Sequence, residues 1–228
     1  MTVTASPQDT RPEPVGRHPS GAPLLPPVLA YSVLTVLAVV VPLAMAAKGA
    51  WSSDTTLLDV YSNHQGAVRV QSLLTIGAAV PLAVLTAVFS DRIRQLGLRV
   101  PGRIIALSGG VAAAALLAVA GALPLALLGS HAQHDVALLQ FGQRLSTALG
   151  GTAFVAFAGL LIAGIAVTGL LGRILPRPLA WIGIALAALG ELALLTSLSD
   201  ALVPLLPIAR FGGMIWLIAA ASTIRSRS

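Results

Sequence analysis

Four side chains carry charge where the surrounding sequence is apolar. Glu191 is an acid inside a long apolar run, and Arg69, Arg144 and Arg210 stand within or at the start of such runs. A lone charge in hydrocarbon is costly unless it is paired or hydrated. A guanidinium presents a planar fork of N–H groups that suits carboxylate and phosphate. Three such forks against one carboxylate leave positive charge in excess. The chemistry expected of the set is therefore binding of an anionic solute or lipid head group, with Arg69, Arg144, Glu191 and Arg210 as the ligand-binding residues. At 1.5 Å per residue, Glu191 lies ~12 Å below the end of its run and Arg210 ~9 Å into the next. A short turn joins those runs, so an ion pair between the two is expected. Arg144 has Gln140 and Gln143 beside it, and Arg69 has Gln71. The competing reading has Arg69 snorkelling to the interface while the other charges form structural pairs.

Histidine forms a second constellation. His64 lies in the first outer connection, and His131 and His134 lie in the second, just before Asp135. Spacing of i, i+3 would set two imidazoles on one helical face, and a third from His64 would suit Zn²⁺ or Cu²⁺. Loop histidines are ordinary and the two connections need not meet, so no metal is assigned. The absences are informative. The chain has no Cys, which removes thiolate chemistry and disulfides. No His falls within an apolar core, which disfavours bis-His haem and a Ser–His protease. There is no H-E-x-x-H, P-loop or dinucleotide fingerprint, and Glu191 is the only buried candidate for a base. The expectation is a non-enzymatic protein with no catalytic residue and no cofactor.

The elements that must hold these residues follow from composition. Of 228 residues, 56% are hydrophobic and only 10% are charged, against about 25% in soluble domains. Mean hydropathy is +0.89. These figures exclude a soluble globule, a wholly disordered chain, a coiled coil and a disulfide scaffold. The formal charge of +6 comes from 13 Arg and one Lys spread over short connections, which is a topology signal rather than a nucleic-acid stripe.

Six apolar runs stand at about 28–47, 67–90, 103–129, 138–171, 179–199 and 204–224. Each reaches the ~20 residues that cross a bilayer, and without a strand pattern only helices satisfy the backbone there. The fourth has surplus length and should tilt or begin outside the hydrocarbon. Residues 1–27 hold seven of the 15 prolines and read as a disordered tail. Residues 28–224 form the membrane domain, and 225–228 a short basic tail. Arg11, Arg17, Arg92, Arg94, Arg99, Arg103, Arg173, Arg177, Arg225 and Arg227 fall on one side, and Asp54, Asp59, Asp135 and Asp200 on the other. The positive-inside rule then makes both termini cytoplasmic. Ala44-Met45-Ala46 resembles a signal-peptidase site, but the polar segment before it is long for a signal peptide. The fold expected is an all-α, six-helix polytopic bundle.

Packing in lipid needs small side chains at contacts. Ala106, Gly110, Ala114, Ala118 and Ala122 make one such stripe, and Gly183 and Ala187 another. The latter continues to Glu191, so its carboxylate is expected to face other helices. Val41-Pro42-Leu43, Val80-Pro81-Leu82 and Leu123-Pro124-Leu125 hint at a hairpin repeat. In the first outer connection, Ser53 or Asp54 would cap a short helix. Its Leu57, Leu58 and Tyr61 would face the membrane, with Trp51 and Tyr61 at the interface. The alternative is a lid over an outer pocket.

A set of scattered positions completes the reading. Asp59-Val60-Tyr61, Ala67-Val68-Arg69, Ala79-Val80-Pro81-Leu82, Arg92, Leu96-Gly97 and Pro101-Gly102 belong to it. So do Arg173, Leu175-Pro176, Ala180-Trp181, Gly183, Gly190-Glu191-Leu192, Pro207, Ala209-Arg210-Phe211 and Trp216-Leu217-Ile218-Ala219. Across most of residues 55–221 this pattern resembles a group of bacterial six-helix inner-membrane proteins that carry a domain of unknown function. The resemblance implies a multi-pass protein of the cytoplasmic membrane and no catalytic assignment. It includes Arg69, Glu191 and Arg210 but not His131 or His134. The expected partners are the lipid bilayer and a membrane protein or second copy, with no nucleic acid. The expected role is that of an accessory or sensor subunit.

Overall fold

A computed structural model of the chain describes residues 23–45, 57–95, 101–129, 135–197 and 204–226. All of its regular structure among those residues is helical. The elements are α1 (Leu25–Met45), α2 (Leu57–Asn63), α3 (Gln65–Gln95), α4 (Gly102–Leu128), α5 (Val136–Ala148), a π-helical turn (Leu149–Ala153), α6 (Phe154–Leu171), α7 (Arg177–Leu192), a 3₁₀ turn (Ala193–Ser197) and α8 (Leu205–Ser226). Six spans are long and apolar enough to cross a membrane, the fourth being the 36-residue rod Val136–Leu171. At 1.5 Å per residue that rod is ~54 Å long, well beyond the ~30 Å of hydrocarbon.

Two boundaries differ from the sequence reading. Helix α1 starts at Leu25, so Pro26 and Pro27 belong to its first turn rather than to the tail. Proline fits there because the first N–H groups of a helix have no intrahelical partner and its φ is already helical. Helix α8 continues to Ser226, into the segment read as a C-terminal tail. At the end of α6 the left-handed cap position is taken by Arg173 (φ 53°) rather than by the preceding Gly172. Ile174 N–H then reaches back to the Gly169 carbonyl at 2.9 Å, closing the turn.

Helix α4 lies between α3 and α6, α1 packs on α3, α7 on α6, and α8 closes the bundle against α7, α6 and α1. Glycine makes the central contacts close. A Cβ on Gly109 would sit 2.7 Å from Leu161 N and 2.8 Å from the Phe157 carbonyl of α6. One on Gly121 would sit 3.0 Å from the Ser72 carbonyl of α3. The stripe on α4 thus runs Ala106, Gly110, Ala114 and then Gly121, while Ala122 is exposed. On α7 the same drift decides the fate of Glu191. At about 100° per residue, Gly190 returns to within ~20° of Gly183, whereas Glu191 stands ~80° away. Gly183, Ala187 and Gly190 are buried and Glu191 is exposed. Its expected orientation toward other helices is therefore corrected: a spacing of four leaves the contact face within two turns.

The described residues form two apolar clusters. The larger joins α1, α3, α4, α6, α7 and α8. The smaller consists of Val60, Tyr61, Val68, Leu127 and Leu139, with Leu58 and Leu128 against it. It sits at the end of the bundle opposite Arg92, Arg94, Arg103, Arg173 and Arg177, and it holds α2 over the helix ends.

Candidate ligand-binding site

Beside the small cluster is a cavity of about 350 Å³. Its walls come from α1, α2, α3, α4, α5, the π-helical turn and α8. Two kinds of local fault in helix bonding build it, proline and a π-helical turn. Pro124 of α4 has no N–H to give to the Ala120 carbonyl one turn earlier, and Ser146 Oγ of α5 supplies that bond at 2.7 Å. Pro42 of α1 likewise offers no N–H to the Ala38 carbonyl, and both residues line the cavity. The second fault is the π-helical turn. Phe154 N–H donates to the Leu149 and Gly151 carbonyls and passes over Gly150, its partner in an unbroken α-helix. Arg210 Nη1 of α8 donates to that Gly150 carbonyl at 2.9 Å. The guanidinium also lies over the Phe154 ring, 4.8 Å from its centre, a cation–π distance. Wide turns of this kind recur at functional sites.

The remaining polar groups are neutral. Thr75 Oγ1 donates to the Gln71 carbonyl at 2.8 Å and Thr147 Oγ1 to that of Gln143 at 2.9 Å, so both hydroxyls turn lone pairs outward. Tyr61 of α2 donates to Gln143 Oε1 at 3.3 Å. Burial pushes the Tyr61 phenol above its ordinary value, because the phenolate would have to be desolvated.

Of the four residues expected to converge, only Arg210 lines the cavity. Arg69 is exposed and leans on Gln65 Oε1 of its own helix at 3.4 Å. Arg144 is exposed on α5, one position from Gln143, which does face the cavity. Glu191 is exposed on α7. The expected Glu191–Arg210 ion pair is replaced by the contacts of Arg210 with Gly150 and Phe154. The physical reason is rotational: Glu191 lies off the contact face, and the π-helical turn offers Arg210 an acceptor already lacking its own donor. Tyr61, expected at the membrane interface, is 2% exposed and turned inward against Gln143. Helix α2 thus lines the cavity through Leu57, Val60 and Tyr61.

Ser146, Thr147, Gly150 and Gly151 were not singled out by sequence reasoning, although five of the seven residues from Ser146 to Thr152 are Ser, Thr or Gly. That density within an apolar run is the signal that would have found them. His64 Nδ1 lies 3.7 Å from Asp59 Oδ2 at the end of α2. His131 and His134 lie outside the described residues, as do Trp51, Ser53, Asp54, Ala46 and the tail to residue 22. No protein-family model, curated protein or solved structure matches the chain.

Proposed function

We propose that the chain is a non-enzymatic sensor or accessory subunit of the bacterial cytoplasmic membrane that binds a small ligand in the cavity under α2. One observation carries the reading: a space of about 350 Å³ at one end of a membrane bundle, its wall mostly apolar but carrying two glutamine amides, several hydroxyls and one guanidinium. This is the low end of the range for small-molecule pockets. A binding role is favoured over transport by what lies beyond the cavity. Leu82, Leu85, Phe89 and Leu161 are at most 1% exposed and pack the bundle toward its other end. A binding role is favoured over catalysis by the wall chemistry, since Thr75, Thr147 and Ser146 give their protons to helix carbonyls rather than to a base. The arginines at the opposite helix ends support placing the termini in the cytoplasm and α2 outside. A sensor would pass its state on through lipid or a membrane partner, and Trp181, Ile182 and Ile215 offer an exposed apolar surface for either.

The chain contains no Cys, so a single introduced thiol reports on one place. Thr75→Cys, inside the cavity, is expected to react with a small membrane-impermeant thiosulfonate added to intact cells. Gln95→Cys, exposed at the arginine-rich end of α3, is expected to react only after the membrane is opened. A Thr75→Cys thiol that stays inert in purified, folded protein overturns the reading.

A further inference from the structure

We infer that the cavity ligand is an amphiphilic monoanion, one carboxylate or phosphodiester on an apolar body, held by Arg210, the cation of the described cavity wall. This rests on the binding role proposed above and names its ligand class. Arg210 Nη1 is committed to Gly150, whereas Nε–H is buried without a partner among the described residues. A guanidinium carries five N–H donors, of which the Gly150 carbonyl takes one, and an oxyanion accepts charge-assisted bonds from such a group. A counter-charge stabilises a guanidinium held among apolar helices, water in the cavity being the alternative partner. The described acids are occupied or displaced. Asp59 faces Asn63 and His64, Asp91 holds Arg94 and Gln95, Asp135 caps α5, and Glu191 is exposed. Among the described residues no carboxylate pairs with Arg210, and the proposed ligand takes that place.

Charge counting makes it a monoanion. Arg210 is the one cationic residue in the described wall, and Gln71 and Gln143 add neutral amides suited to the same oxygens. Shape makes it amphiphilic. The α1 wall, from Ala38 through Val39 to Pro42, is apolar, and Val39 is 46% exposed on the bundle's outer face. An apolar body lying there would continue onto the lipid-facing surface. A carboxylic acid and an anionic phospholipid present the same chemistry and differ only in source.

The test uses the full chain in phosphatidylcholine nanodiscs, with decanoate and decanol as probes that differ only at the head. Decanoate is expected to raise Tm in a saturable way and decanol to leave it unchanged. Arg210→Gln should weaken decanoate binding by roughly tenfold or more, the worth of a charge-assisted bond. Gly151→Leu projects into open space in the cavity wall and should abolish binding with the arginine intact. Should Arg210→Gln fail to fold, Gly151→Leu and the decanoate–decanol pair decide alone. Exchanging phosphatidylcholine for phosphatidylglycerol separates the sources. A raised Tm and a blunted decanoate response identify lipid, and an unchanged decanoate response identifies a free acid. Equal binding of decanol and decanoate, or decanoate affinity unaltered by Arg210→Gln, overturns the monoanion while leaving the cavity reading intact. An inert Thr75→Cys defeats the cavity reading itself.

Discussion

The two ends of α4 are packed by opposite means. Toward Gly102, backbone meets backbone: Gly109 admits the α6 main chain, and a Cβ there has no room. Toward Leu128, Gly121 still meets the α3 backbone, but Pro124 breaks the hydrogen-bond ladder, Ser146 repairs it from another helix, and space is left over. The first arrangement suits a medium in which apolar burial drives nothing and only close contact holds helices together. The second gives up contact to keep polar groups inside. Evenly distributed glycine would pack both ends alike. Here a Cβ on Gly109 would meet the α6 backbone at 2.7–2.8 Å while one on Gly151 would have nothing within 4 Å, so the same residue type does different work at the two places.

That contrast breaks most visibly at glycine. Gly109→Ala is expected to destabilise the protein by about 1–3 kcal/mol, since overpacking must shift the α6 backbone. Gly151→Ala should stay within about 0.5 kcal/mol, as for surface changes without a packing role. Unfolding of both variants in mild detergent checks the pair, and equal losses would erase the distinction between the ends.

The next largest effect separates Arg210 from the other charges. Arg210→Gln removes the Gly150 bond and the Phe154 contact, and about 1–2 kcal/mol of stability should go with them. Arg144→Gln and Glu191→Gln alter exposed side chains and should change stability by less than about 0.5 kcal/mol. If Glu191→Gln cost as much as Arg210→Gln, the two would be paired after all and the wall chemistry of the cavity would need redrawing.

These charges also mark how far the sequence could be read. Hydrophobic length alone located all six spans, because the bilayer sets one number that every crossing must meet. It also located Arg210, since a guanidinium that deep has to be held by something. It misplaced Glu191 because a stripe counted in fours ignores a helix that repeats every 3.6 residues. It missed the acceptor for Arg210 because a π-helical turn follows from tertiary fit and has no residue signature beyond Gly150-Gly151. Tyr61 suits an interface and a buried seat equally, since a tyrosine has an apolar ring and a polar tip. Only the packing of Val60, Val68, Leu127 and Leu139 around it tells which one it takes.

The smallest predicted effect belongs to Tyr61 and sharpens the contrast from the α2 side. Its phenol is neutral and buried, with its pKa above the ordinary 10.0, so at high pH the folded state holds a proton that the unfolded state releases. The stability this contributes is fully present below the unfolded value and is lost as pH rises through the raised folded value. Thermal melts from about pH 8 to pH 11 should therefore fall more steeply for the native chain than for Tyr61→Phe, the two curves running parallel at the neutral end. Phenylalanine keeps the ring in the small cluster and loses only the hydroxyl that meets Gln143, so the difference between curves isolates Tyr61 from every other titrating group. Curves that stay parallel throughout would mean that α2 already admits water around the ring, and the small cluster would then be a loose cover rather than a seal.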